Sequence, residues 1–169
     1  NAGTGDDTVL GGEDRDEVWG MSGGDFIYGE AGGDRIYGDG DFGDLVYYTP
    51  PEEHGDDVID GGSGADKLVG QGRNDLIYGG DGSDLIWGDD GIAERTPVTV
   101  HGDDFVDAGD GADQVVGGGG SDQIYGDVGN DVLLGDDDQA IVDVAFHGMD
   151  FIDGGEGDDQ IAGGGGDDV

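Results

Sequence analysis

The chain has 169 residues, with 43 acidic side chains against 5 basic ones and a formal net charge of −38. This balance excludes nucleic acid and anionic membrane surfaces as partners, because both require basic patches. The chain has no cysteine, which excludes disulfides and thiolate metal sites, and it has no apolar run long enough to span a membrane.

Aspartate recurs at nine-residue intervals along most of the chain. A fixed short period of this kind predicts the stacked rungs of a single solenoid. Before most of these aspartates lies a glycine-rich turn, such as the one that ends at Asp66. The aspartates of the series are Asp7, Asp16, Asp25, Asp34, Asp57, Asp66, Asp75, Asp84, Asp104, Asp113, Asp122, Asp131, Asp150, Asp159 and Asp168.

Each nonapeptide reads as a six-residue turn followed by a three-residue strand. The middle strand residue is always aliphatic, so the two-residue period of a strand predicts that it faces inward and its neighbours face solvent. Two nonapeptides make one coil of about 18 residues with two parallel sheets. The inward residues are Val9, Val18, Ile27, Ile36, Ile59, Leu68, Ile77, Ile86, Val106, Val115, Ile124, Leu133, Ile152 and Ile161.

The core between two such sheets is thin, and it is too small to outweigh the chain entropy alone. The excess of like charge also opposes compaction. We therefore expect the chain without ions to be unfolded or loose, and we expect cations to complete the fold.

A longer period lies above the nonapeptide. Groups of four repeats begin at Asp7, Asp57, Asp104 and Asp150, and a short irregular segment follows each complete group, every 46–50 residues. We expect a single solenoid domain over residues 1–169 with units of about 1–53, 54–100, 101–146 and 147–169, and we expect it to be a segment of a longer protein. We favour a fifth, degenerate rung per unit, with strands near 45–47, 98–100 and 141–143, which would place successive interruptions on alternating edges. A simple bulge would place all three on one edge.

The turns suit calcium. This hard ion takes six to eight oxygen ligands, and glycines let several backbone carbonyls converge beside an aspartate carboxylate. Mg²⁺ fits less well because it keeps waters and strict octahedral geometry. We expect the fifteen aspartates to be ligands together with Gly3, Gly5, Gly23, Gly32, Gly62, Gly64, Gly80, Gly82, Gly109, Gly111, Gly118, Gly120, Gly129, Gly155 and Gly157.

On these motifs the chain resembles the RTX (repeats-in-toxin, hemolysin-type) calcium-binding family over residues 2–37, 54–87, 101–134 and 147–169. The resemblance implies a parallel β-roll, folding induced by calcium, and secretion by a type I system. We expect an all-β fold, a right-handed parallel β-roll that binds multiple Ca²⁺ ions.

Some turns depart from the motif. Asp14 and Arg73 replace the third glycine, whereas Glu30, Gln71 and Asp127 replace the second. A backbone carbonyl survives such changes, but the positive charge of Arg73 predicts the weakest site. The interruptions lack the motif, which makes sites flanking them doubtful. Their carboxylate clusters are extra ion sites or solvated acidic loops: Asp39/Asp41/Asp44, Asp89/Asp90 and Asp136/Asp137/Asp138.

His54, His101 and His147 occur once per unit at the same register. They lie on different rungs, whereas a zinc site gathers three or four ligands, so we expect a repeated packing or turn role in place of zinc binding or catalysis. Aromatic residues at the last repeat position are packing ladders or a strip that binds carbohydrate or a partner. They are Trp19, Tyr28, Tyr37, Tyr78, Trp87 and Tyr125.

The sequence favours a non-enzymatic calcium-binding β-roll of a secreted or cell-surface, extracellular protein. Its role is that of a stiff structural or assembly module, with other copies of itself or surface polysaccharide as partners besides calcium. The alternative is an accessory, stabilising or carbohydrate-binding module of a secreted RTX enzyme or toxin. Ice binding is weaker, because the strands supply only scattered threonines such as Thr8 and Thr99.

Overall fold

The computed structural model describes residues 1–40, 49–89, 101–136 and 147–169, where the chain forms short strands and turns with one 3-10 turn at Pro51–Glu53. No helix in these ranges is long and apolar enough to cross a membrane. The strands are β1 (Gly3–Thr4), β2 (Thr8–Glu13), β3 (Glu17–Trp19), β4 (Met21–Ser22), β5 (Phe26–Ala31), β6 (Arg35–Tyr37), β7 (Val58–Ser63), β8 (Lys67–Gln71), β9 (Leu76–Asp81), β10 (Leu85–Asp89), β11 (Phe105–Gly111), β12 (Gln114–Gly118), β13 (Gln123–Tyr125), β14 (Val128–Gly129), β15 (Val132–Asp136), β16 (Phe151–Asp153) and β17 (Gln160–Ala162).

Two parallel sheets run the length of the molecule. Sheet 1 has the order β2-β5-β7-β9-β11-β13-β16, and sheet 2 has the order β3-β6-β8-β10-β12-β15-β17. Successive repeats alternate between them, so a strand pairs with the strand two repeats later. Ile59 lies opposite Ile77 in sheet 1, and Leu68 lies opposite Ile86 in sheet 2. Both separations are 18 residues, which confirms the predicted coil of a parallel β-roll.

The aliphatic residues at the centre of each strand fill the space between the sheets. Ile27, Ile59, Ile77 and Ile124 have no exposed surface, and the other members of the core are equally enclosed within the roll. At the last coil the core opens, and Ile161 is half exposed. Burial of an apolar side chain contributes about 1.5–3 kcal/mol to folding stability. The aliphatic core between the two sheets therefore stabilises the stacking of each coil on the next. The inward positions predicted from the sequence are confirmed.

All three interruptions lie on one edge of the roll. Strands on the two sides of an interruption pair directly, with Ile27 opposite Ile59, at a separation of 32 residues instead of 18. Strands also pair directly across the other two interruptions, and the paired residues are 29 and 28 positions apart in sequence. Each begins after a strand of sheet 2 and ends before a strand of sheet 1. The expectation of alternating edges is therefore wrong, and the bulge alternative is confirmed. The proposed fifth-rung strands at 45–47, 98–100 and 141–143 lie outside the described residues.

Aromatic side chains form contacts on the outer faces of both sheets. On sheet 1, Phe105 lies between Tyr78 and Tyr125, with ring centroids 6.2 and 5.5 Å away, and Tyr125 continues to Phe151 at 5.7 Å. The sequence predicted ladders of the last-position aromatics alone. The phenylalanines at the first strand position complete this ladder, because Asp107 separates the two tyrosines along their own row.

Candidate metal sites

From Asp25 onwards, the carboxylate of each repeat aspartate accepts a hydrogen bond from the coil before it. The backbone N–H of Asp57 donates to Asp75 Oδ1 at 2.8 Å, and the N–H of Asp75 donates to Asp104 Oδ1 at 2.8 Å. The bond recurs at 2.7–3.2 Å on both sides of the roll. One column contains Asp7, Asp25, Asp57, Asp75, Asp104, Asp122, Asp150 and Asp168, and the other contains Asp16, Asp34, Asp66, Asp84, Asp113, Asp131 and Asp159. This ladder fixes the orientation of every carboxylate in it.

The second oxygen of these carboxylates is buried and accepts no hydrogen bond from the part of the chain that the structure describes. Burying an ionised carboxylate costs several kcal/mol unless a positive charge or donors compensate. Each such oxygen therefore requires a proton or a cation beside it. The oxygens concerned are Oδ2 of Asp16, Asp25, Asp34, Asp57, Asp66, Asp75, Asp84, Asp104, Asp113, Asp122, Asp131 and Asp150.

A glycine at the start of the turn lies beside eleven of these oxygens, all except that of Asp113, and beside a backbone carbonyl of the next coil. A Cβ atom placed on Gly61 would lie 2.8 Å from Asp66 Oδ2 and 2.6 Å from the carbonyl oxygen of Gly79. A Cβ on Gly126 would lie 2.7 Å from both Asp131 Oδ2 and the carbonyl oxygen of Gly154. Except at Ala2 and Ala108, the first residue of each turn is a glycine and thus lacks a side chain at this point.

Carbonyls from the second and fourth turn positions point along the roll axis into the following turn. A Cβ on Gly80 would meet the Gly62 carbonyl oxygen, and a Cβ on Gly64 would meet that of Gly32. Among the described residues, no group of three or more His, Asp or Glu side chains could hold a metal ion. Any ion between turns must therefore take most of its ligands from carbonyls. An all-oxygen donor set with few carboxylates suits a hard cation such as calcium and does not suit zinc.

A profile of the RTX calcium-binding nonapeptide repeat matches residues 1–27, 10–44, 54–72, 60–92, 102–139 and 148–169. The chain belongs to this family of RTX calcium-binding repeats. No curated protein matches the chain. The family binds calcium, in agreement with the oxygen donors of the stacked turns.

Turns that depart from the RTX glycine pattern keep its backbone conformation. All predicted ligand glycines except Gly111 and Gly129 have positive φ angles. The non-glycine residues at equivalent positions have φ between 62° and 91°, a region that costs an L-residue roughly 1–2 kcal/mol. They are Asp14, Glu30, Gln71, Arg73 and Asp127, together with Met21, which the sequence reading missed. The carbonyl direction is kept at Asp14 and Arg73, whose oxygens face Gly32 and Gly102 of the next turns.

Burial raises the pKa of ten repeat aspartates: Asp25, Asp57, Asp66, Asp75, Asp84, Asp104, Asp113, Asp122, Asp131 and Asp150. The pKa of Asp113 rises from 3.8 to about 7, mainly because burial removes water and secondarily because Asp84 and Asp131 lie in the same column. The pKa values of Asp66 and Asp150 rise to about 6 for the same principal reason. Burial and the neighbouring Asp104 raise that of Asp75 well above its ordinary value. Without an ion, these buried carboxylates therefore keep their protons to a higher pH than an exposed aspartate does.

The RTX geometry continues across the interruptions, where sites looked doubtful from sequence. A Cβ on Gly38, before the first interruption, would meet Asp57 Oδ2, which follows it, and the carbonyl oxygen of Gly70. Gly88 and Gly135 stand in the same relation to Asp104 and Asp150. Each interruption is inserted within a turn, after its second residue, and the turn resumes with the histidine three residues before the aspartate. Both ends of the turn stay in place.

The three histidines close these interrupted turns. His54 Nδ1 lies 3.1 Å from Asp39 Oδ2, and the pairs His101–Asp89 and His147–Asp136 repeat the contact at 3.7 and 3.5 Å. Burial raises the pKa of Asp39 to about 10 and lowers that of His54. Each pair joins the two ends of an interruption, which supports a turn role. Within the predicted acidic clusters, Asp41, Asp44, Asp90, Asp137 and Asp138 lie outside the described residues.

Replacing Asp66 and Asp84 together by alanine is expected to weaken calcium binding by roughly tenfold or more. The two are consecutive in one column: Asp66 Oδ1 accepts from the N–H of Asp34 at 2.7 Å, and Asp84 Oδ1 accepts from the N–H of Asp66 at 2.9 Å. The change therefore removes two carboxylates and two hydrogen bonds of the ladder. Calcium titration followed by circular dichroism measures the effect. The Asp60→Ala/Asp153→Ala variant removes the same charge from outward strand positions. Equal midpoints for the two variants would contradict the ligand assignment.

Proposed function

We propose that the chain is a calcium-binding β-roll module of a secreted or cell-surface protein, and that it folds when it meets calcium outside the cell. The observation that carries the proposal is the row of buried Oδ2 atoms, which have no hydrogen-bond partner in the described chain and, in all but Asp113, face the same glycine as a carbonyl of the next coil. The ligands are the fifteen repeat aspartates and the carbonyls of the turn glycines named above. An ion at each of these places offsets the desolvation of the carboxylate.

Calcium acts on folding by linkage. An ion that binds only the folded state stabilises that state as its concentration exceeds the dissociation constant. The unfolded chain has no preformed turns, and 43 acidic groups repel one another in the compact state. Extracellular calcium modules bind at about 10⁻⁴–10⁻³ M. Such an affinity leaves the chain unfolded at cytosolic calcium and folds it outside, as suits the secretion typical of RTX proteins.

The folded roll serves as a stiff structural or assembly module. Its two sheets continue through the interruptions without a break in strand pairing. The proposed ions lie between turns of successive coils and tie each coil to the next on both edges. Repeat arrays gain stability from each neighbour interface, so a longer array stiffens with its length.

A calcium titration of chelator-treated chain, followed by circular dichroism, tests this function. We expect a cooperative gain of β structure with calcium and little gain at the same concentration of magnesium, which keeps its waters. Equilibrium dialysis with radioactive calcium then counts the bound ions. A chain that is fully folded in chelator, or that folds equally with magnesium, would overturn the proposal.

A further inference from the structure

The outer face of sheet 1 leaves large apolar side chains in contact with solvent. Phe26 and Tyr78 point outward from its strands and are 47% and 37% exposed. Val58 and Leu76 lie between Phe26 and Phe105 in the strand register, so the apolar row is continuous. Among the described residues, sheet 2 exposes no large apolar side chain at its outward strand positions. Apolar surface that is concentrated on one face marks an interaction site.

Carboxylates alternate with tyrosines along the second outward row of this face. The strands of sheet 1 contain no basic residue, and the ion pairs among the described residues all join a histidine to an aspartate of an interruption. The carboxylates of the row therefore have no cation beside them in the described chain. Successive carboxylates are two strands apart, which is about 9.6 Å along the roll axis. In register order the row is Tyr28, Asp60, Tyr78, Asp107, Tyr125 and Asp153.

One pocket on this face has the composition of a site for a cationic side chain. Its volume is about 170 Å³, and Tyr28, Glu30 and Asp60 line it together with Leu10 and Gly62. The face of an aromatic ring attracts a cation, and an apolar wall covers the aliphatic stem of lysine or arginine. Two carboxylates then bind the charged head with strong hydrogen bonds. The pocket therefore suits a lysine or arginine side chain of a partner.

The chemistry of the face favours a basic protein segment over a sugar chain or a second copy. The ring of Phe105 is tilted by 55° to that of Tyr78 and by 39° to that of Tyr125, so the ladder offers no flat platform for sugar rings. A second copy carries the same net charge of −38, which opposes association. A basic segment is attracted by that charge, and its cations complement the row of carboxylates.

We propose that the outer face of sheet 1 binds a basic, proline-rich segment of a partner protein in the polyproline II conformation. This helix has three residues per turn, so cations at every third residue recur at about 9.3 Å, close to the spacing of Asp60, Asp107 and Asp153. One face of a strand repeats at about 6.6 Å, and an α-helix repeats at about 5.4 Å, so neither keeps this register as closely. The prolines between the cations pack on the tyrosine rings, as in other aromatic-lined sites for this conformation.

Binding requires the calcium-loaded roll, so the inference rests on the proposed function. Asp60 and Asp107 belong to different units of the sequence, and the pairing of β7, β9 and β11 brings them into one row. Bound Ca²⁺ lowers the overall negative charge and with it the general attraction of the chain for polycations. The calcium-saturated chain is therefore the form in which recognition by this face can be separated from general attraction.

Fluorescence anisotropy of a labelled peptide of four Arg-Pro-Pro repeats, with calcium-saturated chain at about 0.15 M salt, tests the proposal. A peptide of the same composition whose four arginines are contiguous should bind at least about tenfold more weakly, because its cations lose the register. Asp107→Asn is expected to weaken binding of the first peptide by about tenfold, the equivalent of one charged hydrogen-bonding group. Asp110→Asn is the matched control, because it removes the same charge from an exposed position of β11 outside the row. We expect this control to bind like the parent chain.

Circular dichroism on the same samples separates the two proposals. A chain that folds with calcium but does not bind the Arg-Pro-Pro peptide overturns the assignment of the face alone, whereas a chain that does not fold with calcium overturns the proposed function. Equal binding of the two peptides, or equal losses in Asp107→Asn and Asp110→Asn, would reveal general attraction of polycations and contradict the proposal. Binding of a neutral β-linked glucan oligosaccharide in place of the peptide would make a polysaccharide the occupant. A dimer that Phe26→Ser dissociates, without peptide binding, would make a second copy the occupant, and either result rejects the basic segment.

Discussion

Gly64→Ala is expected to break the roll in its middle. Gly64 has a φ of 145°, and a Cβ there would fall on the carbonyl oxygen of Gly32 in the preceding coil. That oxygen belongs to the backbone, so relief requires separation of two coils whose strands are paired on both faces. We expect a loss above about 4 kcal/mol, the range reached by buried steric conflicts and strained backbone. Thermal unfolding at saturating calcium measures it.

Gly5→Ala is the matched control for this substitution. Gly5 occupies the same position in its turn, two residues before Asp7, and has a φ of 96°, but a Cβ there meets nothing within 4 Å. It should cost only the strain of a left-handed alanine, about 1–2 kcal/mol. Equal losses in the two variants would show that backbone conformation, and not contact between stacked carbonyls, makes glycine necessary.

The sheets and the core could be predicted from the nonapeptide because the two-residue period of a strand determines which side chains face inward. With a strand of three residues and an aliphatic residue at its centre, only one face can be buried, and Ile59, Ile77 and Ile124 are enclosed as predicted. The glycine turns likewise predicted positive φ. These features depend on residues within one repeat, which are close to one another both in sequence and in space.

The position of the interruptions could not be predicted by arithmetic. A unit of 46 residues, from Asp104 to Asp150, is compatible with a fifth rung by length alone. The direct pairing of Ile124 with Ile152 across its interruption shows that successive interruptions do not alternate between edges. A signal was present in the sequence, since Gly38-Asp39 and His54-Gly55-Asp56-Asp57 together compose one complete turn. To recognise this signal, one must allow a segment to be inserted within a turn while the two ends of the turn stay together. The contact of His54 with Asp39 joins these two ends.

The different roles of the two oxygens of each carboxylate depend on how the coils stack. Whether Oδ1 or Oδ2 receives the N–H of the preceding coil is set by how two turns superimpose, which composition does not encode. Arg35 and Lys67 lie on the two sides of an interruption in sequence, and they become neighbours in the pairing of β6 with β8.

Lowering the pH is expected to stabilise the folded roll in the absence of calcium, and so to replace part of the effect of the ion. In the calcium-free chain, folding raises the pKa of Asp113 to about 7 and those of Asp66 and Asp150 to about 6, against 3.8 ordinarily. Groups raised in this way contribute stability that is fully present below their ordinary pKa and is lost as the pH rises through the folded value. Chelator-treated chain should therefore gain β structure as the pH falls from about 7 to about 4, which circular dichroism would detect.

Protons and calcium should compete for the same oxygens, and this competition separates the site chemistry from general charge repulsion. The calcium midpoint should fall as the pH rises from about 6 to about 8, because the ion must displace fewer protons from the buried carboxylates. Salt at about 1 M screens repulsion among exposed charges but does not protonate Oδ2 atoms, so salt at about pH 8 should not restore the roll. Folding by salt alone, or a calcium midpoint independent of pH, would show that surface repulsion keeps the ion-free chain unfolded and that the buried carboxylates do not.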